Sequence, residues 1–158
     1  AISRRSARRG YWRCPTVEPD LAYGIPPGSR PGVGLIIADL AQDSRLLFVA
    51  LADEGCVIGS VQLALEARKN GSHRAEVQKL MVHTEFRGRG IGRTLMSTLE
   101  VAARSAARTL LVLDTRRGDG AEQLYQALGY VQAGIIPGYV LNASGALEDT
   151  VIYYRHLT

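Results

Sequence analysis

The chain has 158 residues, 46% hydrophobic and 22% charged, with a formal net charge of +4. That length fits a single domain, residues 1–158, with a core of its own, and no apolar run reaches the roughly 18 residues that a membrane-crossing helix needs. The charge sits at one end: residues 1–32 carry six arginines against Glu18 and Asp20, whereas residues 33–158 balance 13 basic with 13 acidic residues, so a nucleic-acid-binding reading would rest on an arginine-rich arm alone.

Along residues 1–32 the prolines and glycines interrupt every period. Irregular structure is expected there, with a short strand near residues 10–14, and residues 33–41 follow as a short apolar segment of open type, for which one or two helical turns are the reading offered. The two cysteines, Cys14 and Cys56, are too few for a disulfide framework, and their spacing suits no metal site. No apolar stretch of the signal-peptide kind is read, and a reduced, cytoplasmic compartment is the expectation.

From residue 46 the pattern sharpens. Residues 46–52, "LLFVALA", read as a buried strand, residues 53–55 as a turn, and residues 56–65, "CVIGSVQLAL", as the returning strand. A second turn centres on Asn70 and Gly71. Residues 74–82, "RAEVQKLMV", alternate as a third antiparallel strand, which places Glu76, Gln78, Leu80 and Val82 on one face. Residues 90–104 form an amphipathic helix whose apolar stripe is Ile91, Leu95, Leu99 and Ala102. Residues 109–115, "TLLVLDT", are nearly all apolar and predict a central strand covered on both faces. Residues 121–128 form a second helix ended by Gly129, and residues 130–135 and 150–156 two last strands. The order βββ-α-β-α-β-β gives an α/β (α+β) domain, a mixed sheet with helices packed on it.

The junction between the third strand and the first helix carries the chemistry. Arg87-Gly88-Arg89-Gly90-Ile91-Gly92 lies between a strand and a helix N-terminus, where glycines let backbone N–H groups converge on an anion. With Arg93 the loop brings three arginines, so a polyphosphate is the fitting guest. The spacing is not the dinucleotide G-x-G-x-x-G, and no Gly-Lys-Ser/Thr follows as a Walker loop requires. Two carboxylates also stand out. Glu76 lies in a strand otherwise bound for the core, and Asp114 stands alone in "LLVLDT", where an isolated buried charge would be expensive. Each can be a proton acceptor or one half of a salt bridge with Arg74, Lys79 or Arg116.

The loop Arg87–Gly92, the element order and the segment "AEQLYQALGY" together resemble the GCN5-related N-acetyltransferase (GNAT) family over residues 46–158. "RAEVQKLMV", "LDT" at residues 113–115 and "IPGY" at residues 136–139 are most similar to its tabtoxin resistance protein-like acetyltransferases. The resemblance implies acetyl-CoA as co-substrate and a sheet splayed between the fourth and fifth family strands. It further implies that loop amides between Arg89 and Arg93 hold the pyrophosphate while the loop arginines add charge-assisted bonds. Leu80, Met81 and Val82 would pair with the pantetheine arm and polarise the thioester, and Thr115, Gly118 and Ala121 would complete the coenzyme A site. Gly118 stands where many family members have Asn. Glu76 and Asp114 match the proposed proton acceptors of that subgroup, and Tyr125 matches the tyrosine that can protonate the leaving thiolate. Residues 1–45 are short for the family's acceptor-side helices. The implied reaction is direct acetyl transfer to the amine of a small molecule, amino-acid-like or antibiotic, with a homodimer admitted. A protein or peptide N-terminal acetyltransferase and a non-catalytic acyl-CoA sensor are the alternatives.

Overall fold

The computed structural model describes residues 45–52 and 56–158 in full, and residues 38–40 by their backbone. The expected strand near residues 10–14, the turn at 53–55 and most of the 1–45 region lie outside the described residues. Within residues 33–41, the described part is a strand, Ala38–Leu40 (β1), where a helical turn is expected from the sequence.

The other elements are β2 (Arg45–Leu51), β3 (Val57–Leu65), β4 (Arg74–Val82), α1 (Ile91–Ser105), β5 (Leu110–Arg116), α2 (Ala121–Ala127), β6 (Val131–Leu141) and β7 (Leu147–His156). One mixed sheet carries the strands in the order β1-β2-β3-β4-β5-β7-β6. All neighbours are antiparallel except β4 and β5, which run parallel. The parallel pair is joined through α1, because strands pointing the same way need a crossover.

Both helices share one core. Phe48, Val61, Leu63, Ala75, Val77, Leu111, Leu113, Val151 and Tyr153 point from the sheet into the cluster that holds Leu95, Met96, Leu99 and Tyr125. Residues such as Leu95 and Leu99 are fully buried, and each contributes about 1.5–3 kcal/mol by leaving water. Close approach of α1 depends on Gly59, where a Cβ would lie 3.1–3.2 Å from the Met81 carbonyl, Ile91 and Leu95. Ala103 rather than Ala102 completes the buried stripe of α1, with Met96 and Glu100 beside it.

Two further expectations change. β5 is central, but only Leu111 and Leu113 are buried, while Asp114 on its other face is exposed. The segment around Pro137 is not a loop: β6 runs through it to Leu141, and the turn falls at residues 142–146. Register shifts between Gln132 and Gly134 and between Ile136 and Val140 absorb the proline. An edge strand tolerates this because its outward amides have no partner to lose.

Candidate functional site

The loop after β4 is built as an anion cradle. Gly88 and Gly90 have φ of +73° and +81°, and an added Cβ would meet nothing at either position. Their need for glycine is therefore conformational rather than steric. Gly90 caps α1 without a side-chain hydrogen bond, and the first turn holds no acidic residue. The amides of Ile91, Gly92 and Arg93 thus lack an intrahelical partner at the positive end of a 15-residue helix. Gly92 serves packing instead, because a Cβ there would lie 3.1 Å from Leu124, and its absence brings α1 against α2. The arginines also divide. Arg87 Nε donates to the Val82 carbonyl at 3.2 Å, and an Arg89 guanidinium N–H donates to the Glu85 carbonyl at 3.2 Å. Arg89 also stacks 5.0 Å from the Phe86 ring centroid. These two brace the turn Thr84–Phe86, which His83 caps by accepting from the Glu85 amide at 3.4 Å. Arg93 is exposed and unpaired among the described residues.

Below this loop the sheet opens. β4 and β5 pair only at Arg74–Leu110, Ala75–Leu111 and Glu76–Val112. Beyond Glu76 the pairing ends, leaving the backbone of residues 77–82 without a β5 partner. The cause is visible in β4. Gln62 pairs with Gln78 and Ser60 with Met81, so Lys79 and Leu80 together oppose Val61. This is a β-bulge, with Lys79 at φ +53°. The bulge also reverses the alternation. Ala75 and Val77 face the helices before it, and Leu80 and Val82 pack on the same core after it. Glu76 and Gln78 therefore do not share a face with Leu80 and Val82; Met81, 58% exposed, joins them instead.

Glu76 and Asp114 lie on this second face. Glu76 lies opposite Val112, and Asp114 is two residues further along β5, hence on the same side. Both are exposed. Their salt-bridge candidates are mostly engaged elsewhere: Arg74 pairs with Glu66 at 2.9 Å, and Arg116 with Glu148 at 3.4 Å. Among the described residues neither carboxylate forms an ion pair. Partial desolvation raises the Asp114 carboxyl above its ordinary value, the Glu76 charge adds to the rise, and the Lys79 charge opposes it.

Tyr125 comes from the other side of the opening. It is 6% exposed in the helix-side core. Burial, and then the charges of Asp119 and Asp114, push its phenol up to about 12. It stays neutral at physiological pH and can donate a hydrogen bond, whereas full proton transfer to a thiolate, whose ordinary value is about 8.5, would run uphill.

What fixes α2 is not foreseen in the sequence reading. Glu122 accepts from the Gly118 amide at 2.6 Å and from the Tyr153 hydroxyl at 2.7 Å, while Gln126 donates to that hydroxyl at 3.3 Å. The Gly118-to-Glu122 spacing of a loop amide and a first-turn acid is the available signal. Ala121 donates its amide to Asp119 at 2.9 Å. Gly118 and Ala121 therefore have occupied amides, and Thr115, half-buried, sits in β5 opposite Val151.

Residues 6–130 match the model of the acetyltransferase (GNAT) family. The chain belongs to this family. It is 31% identical over 105 residues to N-alpha-acetyltransferase 30 of Xenopus laevis, a match covering 66% of this chain and 38% of that relative's length. The GNAT fold is also that of an acetyltransferase from Streptococcus pneumoniae, at TM-score 0.67 and 20% identity over 74% of this chain and 70% of the other. A further likeness is to yncA from Salmonella typhimurium, solved with its cofactor acetyl-CoA, at TM-score 0.65 and 22% identity over 72% and 65% of the two chains. The splay predicted between the two parallel strands is present in this GNAT domain.

Proposed function

We propose that the domain binds acetyl-CoA in the cleft between β4 and β5 and transfers the acetyl group directly to a primary amine. The observation that carries this reading is the coincidence of the splay beyond the Glu76–Val112 pair with the uncapped α1 N-terminus at its end. The residues fit the group: amides of Ile91, Gly92 and Arg93 suit a pyrophosphate, Arg93 supplies free charge, and the backbone of Leu80, Met81 and Val82, which has no β5 partner, suits an added extended arm. Bound there, the thioester supplies an acetyl group activated toward amines.

The chain's own residues then divide the work. Glu76 or Asp114 accepts the proton of the incoming ammonium group, and their shared exposed face leaves room for an acceptor. Backbone amides of the β4 segment donate to the oxygen on which charge develops. Tyr125 donates a hydrogen bond toward the leaving sulfur in its neutral form.

The acceptor we favour is a small amine of amino-acid-like or antibiotic type. The likeness of "RAEVQKLMV", "LDT" and "IPGY" to tabtoxin resistance protein-like enzymes supports it. A peptide α-amine is the second reading, favoured by the N-alpha-acetyltransferase relative. A homodimer fits the edge strand β6, whose Val131, Ile135, Ile136, Tyr139 and Leu141 are exposed, and sedimentation over a range of concentrations tests it. The test of the main reading is calorimetric binding of acetyl-CoA, followed by coenzyme A release over a panel of small amines and short peptides. Turnover with small amines supports it, turnover with peptides alone selects the second reading, and binding without turnover points to a sensor. Absence of binding overturns all three.

A further inference from the structure

Tyr125 is the only buried residue of α2, a helix of seven residues. So short a helix is not held in place by its own backbone bonds, so the contacts the sheet offers α2 decide how that tyrosine lies. They come from β7. Tyr153 is fully buried and stands on the helix side of the sheet. Its hydroxyl donates to Glu122 Oε2 at 2.7 Å and accepts from Gln126 Nε2 at 3.3 Å. Glu122, Tyr125 and Gln126 are spaced i, i+3 and i+4, which puts them on one face of the helix. One hydroxyl thus grips α2 on both sides of Tyr125 along the chain. The other carboxylate oxygen of Glu122 accepts from the Gly118 amide at 2.6 Å, which ties the loop leaving β5 to the same point.

The rings add to this grip. The Tyr153 ring centroid lies 6.0 Å from that of Tyr125 at an interplanar angle of 44°, and the Tyr130 centroid lies 5.9 Å from it at 59°. Both are contact distances for tilted aromatic pairs. The Tyr130 amide also donates to the Tyr125 carbonyl at 3.0 Å. Tyr130 is held in turn by Arg155, whose guanidinium lies 5.7 Å from its ring centroid and donates to Glu100 of α1 at 2.8 Å. Tyr125 is therefore fixed through its ring and its backbone. The two phenols of α2 and β7 differ in what their hydroxyls do: that of Tyr153 is engaged twice with the helix, whereas that of Tyr125 makes no hydrogen bond among the described residues.

We propose that Tyr153 is a positioning residue: by holding Glu122 and Gln126 it fixes the rotation of α2, and so the direction in which the Tyr125 hydroxyl offers its hydrogen bond to the leaving sulfur. This rests on the acetyl-transfer reading and on the part that reading gives Tyr125, and it can fail while both stand.

The test is a double-mutant cycle in the full chain. Coenzyme A release from acetyl-CoA is followed with the amine or peptide that turns over fastest, in the wild type, Tyr153→Phe, Tyr125→Phe and the double variant. Phenylalanine keeps the ring and removes only the hydroxyl. Tyr153→Phe is expected to lower kcat by about three- to tenfold, with KM for acetyl-CoA within about twofold of the wild type. In the Tyr125→Phe background the same change should cost less than about 1.5-fold, because no hydroxyl is left to be aimed. A general loosening of the domain would instead multiply the two losses. Glu122→Ala repeats the test from the helix side, with the same loss of kcat and the same dependence on Tyr125, and it decides the matter if Tyr153→Phe does not fold. An unchanged kcat in folded Tyr153→Phe, a loss that persists in the Tyr125→Phe background, or a loss confined to KM overturns the proposal and leaves acetyl transfer standing. Full kcat in Tyr125→Phe overturns it too, by removing the group that Tyr153 would aim. Absence of turnover by the wild type with every amine and peptide overturns the acetyl-transfer reading first, and the proposal with it.

Discussion

The two faces of this sheet are built to different rules. On the helix side Phe48, Leu63, Leu95, Leu99, Leu111 and Tyr153 are fully buried in one continuous cluster. On the opposite side of β4 and β5, Glu76, Asp114, Lys79 and Met81 are exposed. The first face fixes strand order and register, and because it carries the stability, the second can hold like charges and a strained backbone. The cleft between β4 and β5 is where they meet.

Changes on the chemical face should leave the fold and remove the reaction. Glu76→Gln is expected to lower turnover by about 10²–10⁴, and Asp114→Asn is measured beside it to identify the principal base. Acetyl-CoA affinity should remain within about twofold, as calorimetry would read. A Glu76→Gln protein with full turnover would break the division of labour.

Changes on the structural face should do the reverse. Leu99→Ala is expected to destabilise the domain by about 2–5 kcal/mol, since Leu99 is fully buried. Met81→Ala on the other face should alter stability by no more than about 0.5 kcal/mol, given 58% exposure. Chemical denaturation of the pair measures the contrast, and equal losses would contradict it.

The loop lies between these extremes. Gly90→Ala forces a Cβ into φ +81° with nothing to clash against, so it should cost about 1–2 kcal/mol of stability and about tenfold in acetyl-CoA affinity. Retained affinity would remove the loop from the cofactor site.

The smallest effect concerns pH. The Asp114 carboxyl is raised above its ordinary value near 3.8, so folding favours its protonated form. Any stability from that form is complete at low pH and is lost as pH rises through the native value. Asp114→Asn should therefore melt slightly higher than the wild type at neutral pH, by at most about 2 °C because the group is solvent-screened. The difference should vanish below about pH 3.8. A gain that grew in acid would reverse the sign and refute the desolvation argument.

Much of this is readable from residue patterns, and the failures have physical causes. Alternating and helical periods place β2 to β5, β7 and both helices to within a few residues, and the glycines of Arg87–Gly92 mark the cradle because positive φ needs them. The bulge is hidden because "RAEVQKLMV" contains no glycine or asparagine at the kink. A strict period of two then carries Leu80 and Val82 to the wrong face. Strand β6 is cut short in a sequence reading because Pro137 and Gly138 look like breakers, although an edge strand can hold both. Apolar neighbours suggest a buried charge at Asp114, but it is exposed on the face of β5 opposite Leu111 and Leu113. Glu122 escapes notice because its partners, the Gly118 amide and the Tyr153 hydroxyl, are brought together only by the fold.

The central claim is that the thioester arm enters between β4 and β5. Hydrogen exchange on the full chain, with and without acetyl-CoA, reads it directly, since the amides of residues 77–82 lack a β5 partner and those of residues 88–93 form the cradle. The expected result is new protection of both segments together, with the β6–β7 hairpin unchanged. Protection confined to other regions, or none at saturating acetyl-CoA, would contradict it.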